Sequence, residues 1–102
     1  MYQLVLQFPE TAFPGFDDVV QYEDSLIDAL GDRHDVDGHD IGSGEVNFFV
    51  ISHDPRGALF DIRGSNHELL SHPDLRAAAR RTDTDAYEPL WPEGDARPFT
   101  VL

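Results

Sequence analysis

Glu23 is the residue of this sequence whose type and position most invite chemistry. On a helix through Phe16–Leu30 its direction falls between Val19, Val20, Leu26, Ile27 and Leu30, near the centre of an apolar stripe. A carboxylate there has to be paired, hydrogen-bonded or protonated, because burying it alone is costly. Desolvation favours a carboxyl group's protonated form, which is the direction a general acid or base working near neutral pH requires. A structural carboxylate held by backbone donors produces the same pattern.

The second concentration of reactive types is Asp37-Gly38-His39-Asp40-Ile41-Gly42-Ser43-Gly44-Glu45-Val46-Asn47. Two carboxylates and an imidazole precede a Gly-rich turn, and a third carboxylate and an amide follow it. Read as a strand, Asp37 and His39 share one face and Asp40 takes the other. A hairpin folded at Gly42–Gly44 returns Glu45 or Asn47 toward Asp40 and His39. Glu23, Asp37, His39, Asp40, Glu45 and Asn47 are therefore the candidate ligand-binding residues. A polar hairpin whose glycines serve only the turn is the plain alternative.

The chemistry these residues support is limited. His34, His39, His53, His67 and His72 do not form the helical His-Glu-x-x-His spacing, and the chain has no cysteine, so no metal site is expected. Gly42-Ser43-Gly44 lacks the phosphate-loop pattern, sits among acids and precedes a strand, which argues against a nucleotide cofactor. Ser43 and Ser65 have glycine neighbours but no Gly-x-Ser-x-Gly elbow, so no catalytic nucleophile is assigned.

These residues must be positioned by a small set of elements. Tyr2, Leu4, Leu6 and Phe8 alternate with polar or smaller residues, a strand period. Pro9 and Pro14-Gly15 break the chain before the helix Phe16–Leu30, which Asp17 and Asp18 suit at its start and Gly31 ends. A polar strand over Arg33–Ile41 and an apolar one over Glu45–Ser52 flank the turn. Apolar side chains on both faces of the latter indicate a central strand or a covered outer face. Asp54-Pro55 opens a second helix, with Ala58, Leu59, Ile62, Leu69 and Leu70 as its buried stripe and Gly57 and Gly64 weakening it. Strands are expected over Arg76–Thr82 and Ala86–Trp91, Pro89 placing the last at an edge. Phe99–Leu102 is a further short strand candidate, and Arg76 and Arg80 share a face from which they could reach acids of the first helix or the hairpin. Trp91 is expected to cover an end of the core.

The order β-α-β-β-α-β leads us to expect an α+β fold: a ferredoxin-like antiparallel sheet with two helices on one face and a C-terminal hairpin extension. All of 1–102 forms one domain, with 92–102 an extended tail. Such an arrangement leaves the second sheet face, with Val5, Phe49 and Ile51, to be covered by the C-terminal hairpin or by a second copy of the chain.

Charge narrows the partners. Twenty acidic against seven basic residues give a net charge of −13. Nucleic acid and anionic membrane surfaces are thereby disfavoured, and a basic protein is favoured by its opposite field. Met1–Leu6 reads as a strand and lacks the basic region of a secretory signal; with no cysteine and no long apolar run, a cytoplasmic location is expected. A small acidic binding module of the inhibitor or immunity type leads the functional readings. A ligand-binding or enzymatic domain using Glu23 and the hairpin, and a homo-oligomeric structural protein, follow.

The segments Glu23–Gly31, Val36–Asn47 and Leu90-Trp91-Pro92-Glu93-Gly94 together resemble a group of small uncharacterised bacterial proteins sharing this hairpin motif. The resemblance implies a bacterial, cytoplasmic, stand-alone domain and assigns no catalytic residue.

Overall fold

The computed structural model describes residues 1–65, 73–95 and 97–101. Its elements are β1 (Tyr2–Pro9), a single 3-10 turn (Glu10–Ala12), α1 (Phe16–Leu30), β2 (Asp35–Gly42), β3 (Glu45–Ser52), α2 (Pro55–Ser65), β4 (Arg76–Arg81) and β5 (Glu88–Trp91). The strands form one antiparallel sheet in the order β2-β3-β1-β4-β5. The α+β class expected from the sequence is the class found. The proposed stripe residues Leu69 and Leu70, with His67, His72 and the Ser65 side chain, lie outside the described residues.

The pleat of β1 divides the molecule. Leu4, Leu6 and Phe8 point to the side where Val19, Tyr22, Leu26 and Leu30 of α1 and Ala58, Leu59 and Ile62 of α2 complete the main core. Phe8, Phe13, Tyr22 and Phe48 pack there edge-on or tilted, with Tyr22 and Phe48 centroids 4.7 Å apart. On the other side, Val5 and Ala78 meet Phe99, flanked by Phe49, Tyr87 and Val101.

One expectation for α1 is corrected. The helix is rotated from the predicted stripe: Tyr22 occupies the inward centre, while Phe16 (63% exposed), Val20 (37%) and Ile27 (48%) face outward. A Tyr22 ring wedged among three phenylalanines buries more apolar surface than Val20 or Ile27 can, so it wins the inward position. Glu23, one step round the helix, is carried from the stripe centre to its flank.

Local chemistry sets the turns. Ser43 (φ 54°) and Gly44 (φ 80°) form a two-residue hairpin turn with both central residues left-handed, which matches the strand twist. Asp54 caps α2, its carboxylate accepting the Gly57 N–H at 2.9 Å. A Cβ on Gly57 would run into that carboxylate, so this glycine makes room for the cap rather than weakening the helix.

The second sheet face is covered by the chain itself. Residues 98–101 cross it without pairing as a strand, which corrects the expectation for Phe99–Leu102; Leu102 is outside the described residues. The Thr100 carbonyl accepts from Gln7 Nε2 at 2.9 Å. Asp95 anchors this segment: Arg97 grips its carboxylate at 2.9 and 3.0 Å, and Arg76 Nε donates to it at 3.0 Å. Arg76 and Arg80 lie on this side, away from α1, because they face Gln7 and Gln3 across the β1–β4 ladder. Arg80 is held by Gln3 and the Thr84 carbonyl, not by acids of α1 or the hairpin.

Two outcomes follow for stability. The Arg97 side chain, then its backbone N–H, and then Arg76 hold the Asp95 carboxyl well below the usual carboxylate range. Its contribution is therefore complete above the ordinary carboxylate pKa of about 4 and is lost as pH falls through its lower folded value. Asp95→Asn should remove that part of the acid transition and speed amide exchange at 97–101. Among the described residues the buried Tyr22 hydroxyl has no partner, and burial pushes its pKa well above the ordinary 10.0. Stability is retained below pH 10 and falls above it, as the unfolded phenol ionises and the folded one does not. Tyr22→Phe should be neutral or stabilising by about 1 kcal/mol and should flatten the alkaline limb of denaturation.

Candidate functional site

Glu23 and the hairpin do meet, through one residue. His39 lies opposite Phe48 in the β2–β3 ladder and so faces the helices. Its Nδ1 donates to the Glu23 carboxylate at 2.7 Å, with both side chains under a quarter exposed. The carboxylate thereby holds a proton on Nδ1 and fixes the orientation of the ring. Phe16 packs edge-on to this ring at 5.9 Å and Phe48 lies at 6.3 Å.

The remaining hairpin candidates do not join them. Asp40 pairs with Asn47, and Glu45 with Gly42, so Asp40, Glu45 and Asn47 take the opposite sheet face. There Asn47 Oδ1 accepts from Gln7 Nε2 at 3.0 Å, a buried amide pair with no connection to Glu23. A bulge between Val36 and Gly38 leaves Asp37 unpaired and exposed, cancelling the shared face expected for Asp37 and His39. The pleat thus splits the six candidates into a Glu23–His39 couple and four residues elsewhere. Among the described residues no three His, Cys, Asp or Glu side chains gather as a metal-binding group.

A second couple escaped the sequence reading. Ser52 Oγ lies 2.6 Å from His34 Nδ1 and accepts the Asp54 N–H at 2.8 Å, while His34 Nε2 is 3.4 Å from the Asp61 carboxylate. The Ser52 proton therefore goes to Nδ1, and Nε2–H faces Asp61. The trio resembles a hydrolase relay in composition, but Ser52 is only 3% exposed and its oxygen already serves the α2 entry. Its chemistry is structural: it ties the α1–β2 connection to the end of β3 and to α2. Residues 18 apart in sequence gave no periodic signal of this contact.

A cleft of about 490 Å³ borders Arg56, Arg80 and Arg81. Each arginine there is engaged by the protein: Arg56 by Glu88, Arg81 by Asp83 and Arg80 by loop carbonyls.

The surface around Glu23–His39 is unusual for its apolar content. Phe16, Val20 and Ile27 follow α1 at spacings that keep them on Glu23's flank, and Ile41 (40% exposed) extends the patch onto β2. Phe16, Ile41, Phe13, Val19 and Val46 border a shallow groove of about 260 Å³ at its end. Beside the patch stand Asp17, Asp24 and Asp28 of α1 and Asp37 in the β2 bulge, all exposed, with exposed Asp40 on the far face of the same strand. Four large apolar side chains within an acidic rim have the layout of a protein interface: a greasy centre and a polar border.

No family model, curated protein or solved structure matches this chain.

The two imidazoles should separate in their effects. Losing the partly buried Glu23–His39 bond, by Glu23→Gln or His39→Ala, should lower unfolding free energy by about 1 kcal/mol. His34→Ala strands the buried Ser52 hydroxyl and should cost about 2–3 kcal/mol, measured by urea denaturation.

Proposed function

We propose that this chain is a protein-binding module of the inhibitor or immunity type, whose basic partner docks on the α1 flank and the adjoining β2 edge. The observation that carries this reading is the exposed row Phe16, Val20, Ile27 and Ile41 set within acidic residues. Leaving four large apolar side chains in water is unfavourable, and a partner that buries them supplies the compensation. The acidic rim and the net charge of −13 select a basic surface and speed its approach. We read the scaffold as ferredoxin-like, with β5 and the C-terminal segment as an extension; the order β2-β3-β1-β4 and one cluster shared by both helices support this. The module acts in the cytoplasm of a bacterium. A homodimer through the opposite sheet face has less support, since Phe99 and Val101 lie over Val5 and Ala78.

A second reading, a small-ligand or enzymatic site, rests on the His39 Nε2 that Glu23 orients. The two separate cleanly in one experiment. A column of the wild-type chain should retain a stoichiometric basic protein at low salt and release it at high salt. A Phe16→Ser, Val20→Ser, Ile27→Ser column should fail to retain it, while His39→Ala retains it. Retention indifferent to the triple substitution would sink the docking surface, and loss confined to His39→Ala would favour the ligand site.

A further inference from the structure

The sheet has two outer edges, and the sequence treats them differently. β5 has four residues, Pro89 among them, and Pro92 follows at once, so that edge offers no continuous ladder. β2 has eight residues and no proline, and among the described residues its outer side pairs with nothing. It is guarded instead by exposed Asp35, Asp37 and Asp40 and by the bulge between Val36 and Gly38.

Acids are a selective guard. A second copy of β2 laid against the first would set carboxylates beside carboxylates, which opposes pairing. A strand carrying arginine or lysine meets attraction at the same positions. The pleat then fixes what the other face of such a strand must be. Val36, His39 and Ile41 lie on the helix side of β2, below the exposed row of α1, while Asp35 and Asp40 lie on the opposite side. An added strand alternating apolar and basic residues would place the apolar set against Phe16, Val20 and Ile41, and the basic set beside the aspartates.

We infer that the partner contributes an extended segment alternating apolar and basic residues, which joins the sheet as a sixth strand along β2, chiefly beside the regular stretch Gly38–Gly42. This rests on the docking surface proposed above and specifies how it is occupied.

The test uses the full chain and an eight-residue peptide of alternating arginine and valine, titrated calorimetrically at low ionic strength. Two further peptides carry N-methyl groups on the backbone amides of only the valines or only the arginines. In strand addition alternate N–H groups face β2, so one methylated peptide should lose about tenfold or more in affinity and the other should bind like the parent. The exposed-site substitution Asp40→Lys should weaken the parent peptide several-fold without altering the circular dichroism of the protein. Equal affinity of all three peptides, or equal loss in both methylated ones, would overturn strand addition and leave the basic-partner reading standing. No binding of the parent peptide would overturn both.

Discussion

The structure depends on β1 being paired on both sides over Tyr2–Gln7. Tyr2–Pro9 meets β3, and Tyr2–Gln7 meets β4, so no residue of the central strand is free to turn over. The alternation of a doubly paired strand is rigid: even positions are committed to the helices and odd positions to the other face. Everything laid on the sheet inherits that division. Phe48 and His39 are drawn to the helix side because they stand in register with Leu6, and Asn47 and Asp40 are sent to the far side because they stand in register with Gln7.

That rule explains which parts of the molecule were legible. β1, α1, β3 and the start of α2 follow directly from period-two and helical spacing, from Gly31 and from Asp54-Pro55, since each is decided by neighbours in sequence. The two partners of the Glu23–His39 contact were both legible, as a carboxylate read near the centre of an apolar stripe and a hairpin rich in polar groups, but their meeting was not. The rotation of α1 was not within reach. A helical wheel weighs Val20 and Tyr22 by position, whereas packing weighs them by the area each can bury against Phe8 and Phe48. The bulge that displaces Asp37, the Ser52–His34 bond and the path of 97–101 over the sheet rest on contacts between distant segments, which leave no local period behind.

The two faces of the sheet meet the cost of exposure in different ways. On the far side the chain covers its own apolar surface: Phe99 lies over Val5 and Ala78, and the Asp95–Arg76–Arg97 cluster fixes the segment that carries it. That cluster uses two of the seven basic residues. On the helix side, the flank of α1 keeps Phe16, Val20 and Ile27 uncovered, and the surrounding charge is almost wholly acidic. Two arginines thus fasten the far-side segment, while the exposed charges beside the α1 flank are aspartates.

The buried Gln7–Asn47 bond has a consequence for how the chain reaches this state. Sliding β3 by one residue along β1 would bring an amide into the aromatic core and push Phe48 or Val46 out toward the far side. Once the helices pack, a mispaired sheet is therefore penalised twice, by a dehydrated amide and by a misplaced ring. Thr100 then adds its carbonyl to the same Gln7 amide, a contact that only the properly aligned pair can offer. Two uncharged side chains in this way single out one register of the sheet, setting the nearest wrong alignment at a higher free energy.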